Sequence, residues 1–209
     1  MNPKRKRRIL RILLVAVASL AMAVVILRCS NARAHRNSLP TLHDRATEAL
    51  GFCRAQGLNT DYCILVDFGI HSGRNRLFVW DFARDTIFCS SLCAHGYGMS
   101  STTSVPVFSN EPGSYCSSQG RYRIGARSYS KWGINIHYKL HGLDATNDNA
   151  FRRYVVLHSY GPVPETEIFP LHLPLGYSQG CPVVSNEVMR RIDTLLQKAS
   201  PPLLLWIYR

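Results

Sequence analysis

Apolar residues along most of this chain come in short runs bounded by turn-forming residues, the pattern of buried strands. The runs are YCILVDF (62–68), RLFVWDF (76–82), TIFCSSLCA (86–94), RYRIG (121–125), INIHYKL (134–140), RYVVLHS (153–159) and LLLWIY (203–208). The turn-rich GIHSGRN separates the first two, and ARD precedes the third. Two other stretches have helical spacing. In the first, Thr41 stands at a cap position with Asp44 three residues on. Leu42, Ala46, Ala49, Leu50 and Cys53 then make an apolar stripe, and Gly57 ends it. In the second, Ser185 caps a helix running to about Ala199, Glu187 lies in its first turn, and Val188, Ile192, Leu195 and Leu196 face inward. These elements predict a mainly β domain with a helix at each flank.

The front of the chain follows a different rule. MNPKRKRRILRILLVAVASLAMAVVILRC has a basic cluster followed by uncharged, mostly apolar residues from Ile12 to Leu27. That is the layout of an export signal, with the basic cluster held in the cytoplasm. Ala32-Arg33-Ala34 fits a cleavage site that would start the mature chain at His35. Alternatively, the segment stays as a short membrane anchor, its flanking arginines snorkelling to the interface. Both readings place the body in the periplasm or cell envelope. The expected organisation is residues 1–34 as signal peptide or single anchor, 35–60 as linker and helix, and 61–209 as the main folded domain.

Charge changes the picture less than its total suggests. The net charge is +12, but eight basic residues and no acidic ones lie between Met1 and Ala34, leaving +4 for the remainder. With no zinc-finger spacing, RNA-binding signature or basic helix with interleaved aromatics, a nucleic-acid partner is not expected. There are seven cysteines, at 29, 53, 63, 89, 93, 116 and 181. Cys53 and Cys63 flank a short loop and are candidates for a disulfide in an exported domain. No CxxC occurs, so neither a thioredoxin-type site nor a paired-cysteine zinc site is indicated.

Candidate chemistry centres on GYSQGCPVVS, residues 176–185. Gly180 lets a substrate carbonyl approach the backbone, and the N–H groups of Gly180 and Cys181 could converge as an oxyanion hole. The nearby helix N-terminus would favour a Cys181 thiolate. Ser178 can hold the turn by a local hydrogen bond. A thiolate nucleophile needs an imidazole in reach. His158 ends an apolar strand that would hold it rigidly, whereas His172 lies in the intervening loop of four prolines and three glycines. Loops of that length in compact domains are often functional.

The blocks VDF…HSGRNRLFVWDF, CAHGYG, FSNEPGSYCSSQGRY, HGLDATNDNAFRRYVVLHS and SQGCPVV occur in one order. Together they resemble the murein L,D-transpeptidase catalytic-domain family, a branch of the YkuD-type fold, over about Asp61 to Arg209. The resemblance implies a β-sandwich or flattened barrel with an appended helix, no cofactor and no metal. It implies peptidoglycan stem peptides as substrate, with Cys181 as nucleophile and His158 as acid/base. Ser178, Gly180 and Ser159 fall on positions beside the substrate or oxyanion, and a backbone carbonyl would orient the histidine. The thiolate would attack the amide at the L-centre of diaminopimelate and release D-alanine. An incoming amine would then complete transpeptidation, or water a carboxypeptidase reaction; a protein lysine would tether a protein to the wall.

Two departures stand out. Pro182-Val183-Val184 follows the cysteine where relatives carry an arginine, and Ser159 follows the histidine where glycine is commoner. Arg123, Arg127, Arg152 and Arg153 are the candidates for clamping a substrate carboxylate. Two other functions compete: a zinc hydrolase built from His95, His141, His158 and Cys181, whose spacings fit no standard zinc motif, and a non-catalytic peptidoglycan-binding module. The sequence carries no sign of oligomeric state.

Overall fold

The computed structural model describes residues 42–209. The predicted export segment, the linker and the Thr41 cap lie outside them. Arg45–Arg209 form one compact unit, preceded by the helical residues 42–44. The first described helix, α1, covers residues 42–56. Ala46, Ala49 and Cys53 of its predicted stripe are buried. Arg45 places its guanidinium over the rings of Trp206 and Tyr208, at 4.7 and 4.5 Å.

Eight strands form one sheet. They are β1 (Tyr62–Asp67), β2 (Leu77–Asp81), β3 (Thr86–Ser91), β4 (Gly120–Tyr129), β5 (Ile136–Gly142), β6 (Val156–Ser159), β7 (Val183–Val184) and β8 (Leu204–Tyr208), in the order β3-β2-β1-β8-β4-β5-β6-β7. Beyond the end of β3, Ala94 pairs with Val183 of β7. The two edges therefore meet, and the sheet is a nearly closed barrel, as the sequence predicts. Closure removes the exposed edges that an open sheet would present.

The alternation along the strands fixes which side chains face the core. Tyr138 and Leu140 of β5, Leu157 of β6, and Leu203, Leu205 and Ile207 around β8 are buried in one cluster with Ile64, Val66, Leu77 and Val79. The second helix, α2 (Asn186–Leu196), has Ser185 as its N-cap, accepting from the Val188 N–H. Val188, Met189 and Ile192 of α2 join the same core. Asp193 is also buried on α2. It accepts from the Tyr138 hydroxyl at 2.6 Å and from Arg127 Nε at 2.7 Å, which satisfies a charge that burial would otherwise disfavour. The helix stops at Leu196, short of the predicted Ala199.

Cys53, Cys63, Cys89, Cys93 and Cys116 are free and buried. The expected Cys53–Cys63 pairing is therefore corrected: both are thiols packed in the interior. Burial pushes Cys53 up to about 11 and Cys93 up to about 12.

Candidate active site

Cys181 sits on a turn built to admit no other shape. Ser178 Oγ donates to the Cys181 carbonyl at 2.6 Å and accepts from the Gly180 N–H at 2.9 Å. Gly180 has φ +118, and a Cβ there would meet the Cys116 carbonyl oxygen at 2.7 Å. Glycine is required on both counts. The Gly180 N–H is thus engaged by Ser178, which corrects the expectation that it stands ready for an oxyanion. Cys181 N–H is the donor of that pair that remains.

The sulfur points at the base of β6. The Val156 N–H reaches Cys181 Sγ at 3.4 Å, and the Tyr154 carbonyl lies 3.9 Å from it. His158 stands two residues along from Val156, on the same face of the strand. Its Nδ1 donates to the Ser159 carbonyl at 3.0 Å, which leaves Nε2 as the basic nitrogen. Ser159 is fully buried, and its Oγ accepts from the Ile134 N–H at 3.1 Å. Its carbonyl orients the histidine while its side chain faces away from the cleft. Gly133, with φ +58, packs against the Ser159 Oγ and carbonyl so closely that no Cβ fits.

Burial raises the Cys181 thiol above its ordinary value of 9.0, opposed by the Val156 N–H and by Arg153. Burial also lowers His158 below 6.5, opposed by the Ser159 carbonyl and reinforced by His137. Both shifts favour the neutral forms, a thiol and an imidazole. The predicted help from a helix N-terminus is weak because β7 and the Ser185 cap separate Cys181 from α2, and helix dipole effects fall off within a turn.

A cysteine in the turn just ahead of β7 and a histidine on β6, which β7 pairs in parallel, suit acyl transfer. The L,D-transpeptidase catalytic domain (YkuD_2) matches the chain over residues 36–208. The chain belongs to this family. The match takes in α1 as well as the barrel, so this L,D-transpeptidase domain begins earlier than the resemblance at Asp61 indicated. Among solved structures it is similar to the L,D-transpeptidase from Xylanimonas cellulosilytica, with 13% identity and a TM-score of 0.40 over 70% of this chain and 60% of that one. It is also similar to the helical cell shape determining protein Pgp2 from Campylobacter jejuni, with 9% identity and a TM-score of 0.46 over 71% of this chain and 47% of that one. The chain thus spans about half to three-fifths of the lengths of these two proteins. No curated protein matches it.

The other candidate residues of the L,D-transpeptidase domain are placed elsewhere. His172 Nδ1 is 2.8 Å from Ser72 Oγ and its Nε2 is 3.2 Å from Ser104 Oγ. His172 also stacks on His71, so both its nitrogens are occupied away from the sulfur. Its loop still serves the site: Val163 and Leu173 pack with Leu92, Ala94 and Val183, against which Tyr177 and Cys181 lie. His95 accepts from buried Arg76 at 2.8 Å and faces the Thr102 carbonyl. His141 stacks on Phe151. The zinc constellation of these residues is not assembled, and among the described residues no group of three or more candidate ligands converges.

Of the arginines, Arg127 is paired with Asp193. Arg153 directs its fork to the Ser109 and Cys116 carbonyls and to the hydroxyls of Ser114 and Ser118. It braces the turn and holds no donor pair open for a substrate. Arg123 and Arg152 are exposed. The sequence reading missed the Val156 and Tyr154 backbone contacts and Gly133. Gly133 had a signal, a glycine in SKWGIN just before a strand; the backbone contacts had none.

Proposed function

We propose that this L,D-transpeptidase-family chain is a cysteine acyltransferase of the cell envelope acting on peptidoglycan stem peptides. The observation that carries the reading is Cys181 Sγ held against the Val156 N–H, with His158 two residues further along the same strand and its Nδ1 fixed on the Ser159 carbonyl. A neutral pair of this kind reacts by proton transfer in the attacking step. Cys181 Sγ bonds to the amide carbonyl carbon at the L-centre of diaminopimelate as its proton passes to His158 Nε2. The Cys181 N–H faces the developing oxyanion. The C–N bond to D-alanine breaks, and the departing amine takes the proton from His158. The amine of a second stem then attacks the thioester, giving the cross-link and restoring the thiol. Water in that place makes the enzyme an L,D-carboxypeptidase. A non-catalytic wall-binding role needs neither the ordered histidine nor the sulfur beside it.

Incubation with purified wall, followed by muropeptide digestion and mass analysis, tests the reaction. Wild type yields new cross-links with loss of D-alanine; Cys181→Ser yields none. Wall bound without any mass change would leave only a binding module. The envelope location rests on the basic and apolar segment before residue 35. A reporter that works only after export, fused after Arg209, is expected to be active. Fractionation then separates an anchored chain of full mass from one beginning at His35. No helix among the described residues is long and apolar enough to cross a membrane, and the predicted segment lies outside them.

A further inference from the structure

A row of basic side chains runs along the face of β5 opposite the core, one strand across from the Cys181 turn. Alternate residues of a strand share a face, so His137, Lys139 and His141 of β5 stand opposite the core-facing Tyr138 and Leu140. Arg123 of β4 pairs with His141. On the other side, Lys139 pairs with Val156 and His137 with His158 of β6. Val156 is the residue whose N–H reaches Cys181 Sγ. Directly opposed residues hold their Cβ atoms about 5 Å apart, so Lys139 stands one strand from the nucleophile.

Lys139 Nζ lies 5.3 Å from the ring centroids of both Phe151 and Tyr154. These rings are 50% and 61% exposed, which leaves apolar walls open beside the ammonium. No carboxylate answers the row. The described ion pairs of Arg and Lys side chains are Arg45–Glu48, Arg84–Asp81, Arg121–Asp144 and Arg127–Asp193, all elsewhere. A second observation points the same way. His137 is only 4% exposed, and its Nε2 is buried without a hydrogen-bond partner. Buried polar atoms in folded proteins nearly always have partners. An orphan nitrogen and an unanswered cation therefore share one face with the catalytic histidine.

We propose that the Lys139 row is the binding site for a carboxylate of the acyl donor. The carboxylate sits between the Phe151 and Tyr154 rings and accepts from Lys139 Nζ, with Arg123 extending the positive field. Its ligand class is a peptide bearing a free carboxylate a few atoms from the scissile amide. It thereby selects which carbonyl meets Cys181. The site rests on the reading above only for the identity of that peptide. A stem amidated at this carboxylate is a poor donor.

The test needs no turnover. Iodoacetate and iodoacetamide both alkylate the Cys181 thiolate, but only the first carries a carboxylate. The ratio of their rate constants on the full chain, read at Cys181 by peptide mass mapping, cancels any change in thiol ionisation. In Lys139→Gln the iodoacetate-to-iodoacetamide ratio falls roughly three- to tenfold, the range of one partly exposed charge contact. Lys139→Arg keeps it. In wild type the ratio also falls as salt is raised to about 1 M, where screening reaches a few Å; this arm stands even if the glutamine variant does not fold. A ratio unchanged by both the substitution and salt overturns the proposal. A ratio that responds, in a protein that acylates no stem peptide, retains the carboxylate site and removes the proposed reaction. Cross-linking with an unresponsive ratio does the opposite.

Discussion

The resting state of the nucleophile is the point on which the chemistry turns, and it is directly measurable. The same burial that raises the Cys181 thiol above 9.0 lowers His158 below 6.5. Each group is therefore neutral across the interval between those values. With a thiol value at or above 9.0, at most about 1% of Cys181 is thiolate at pH 7. Iodoacetamide reacts with the thiolate alone, so its rate at Cys181 is expected to climb about tenfold per pH unit from 6 to 9, without a plateau. An activated cysteine paired with an imidazolium ionises well below neutrality and gives a flat profile over the same range. The two cases differ by about 100-fold at pH 7 relative to the limiting rate.

His158→Ala sharpens the distinction. A neutral imidazole adds no charge to the thiol, so the alkylation profile should move by less than roughly half a pH unit. Acyl transfer, which needs the proton carrier, should fall by roughly two to four orders of magnitude. His172→Ala should leave both close to wild type, since its nitrogens face Ser72 and Ser104. Intact mass with peptide mapping follows Cys181 apart from the other thiols, of which the described ones are buried. A plateau below pH 8 that vanishes in His158→Ala would refute the neutral pair and establish a thiolate–imidazolium pair instead.

Three further outcomes follow from the surrounding geometry. Gly180→Ala forces a side chain at φ +118 against the Cys116 carbonyl, a strain of about 1–3 kcal/mol; acyl transfer should drop more than the urea midpoint does. Arg153→Met removes the donors to Ser109, Ser114, Cys116 and Ser118 and should cost roughly 2–4 kcal/mol in urea unfolding, since several acceptors lose their partner together. His95 is held neutral by burial and by Arg76, at about 4 against an ordinary 6.5. Its contribution to stability is present above pH 6.5 and lost as pH falls towards 4, on the order of 3 kcal/mol. Thermal unfolding between those pH values should show the loss in wild type and less of it in His95→Gln.

The strands were legible because most are buried and β-branched or aromatic, and such runs announce themselves. Val183–Val184 was not: two residues behind Pro182 are too short for any period, though they form β7 and close the barrel through Ala94. The second half of β4 was missed because GARSY is largely exposed and reads as polar. RYVVLHS was read as one strand, but Tyr154 has φ +59, and the strand starts only at Val156. Cys181 and His158 could be singled out because the roles proposed for them, nucleophile and base, belong to side chains. The Val156 N–H and Ser159 carbonyl could not, since every residue but proline carries both groups.

The block FSNEPGSYCSSQG had no role that its residues alone could suggest, and its place explains why. It is read through its backbone. Gly98 N–H donates to the Tyr115 carbonyl at 3.0 Å, and Gly96 N–H to Ser117 Oγ at 3.0 Å. A Cβ on either glycine would collide with the 114–117 backbone. The Cys116 carbonyl in turn packs on Gly180 and accepts from Arg153 Nη2 at 2.7 Å. CAHGYG, FSNEPGSYCSSQG, Arg153 and SQGC are thus four layers of one stack, with Gly96, Gly98 and Gly180 at close backbone contacts. The stack ends on the peptide that presents the nucleophile. Its cation meets only neutral oxygens, so its charge is not cancelled by a carboxylate and opposes the rise of the Cys181 thiol. Arg153 therefore acts on the sulfur while its donors stay engaged by the turn, and the proposed reading of substrate charge falls to Lys139 on β5, across β6 from the Cys181 turn.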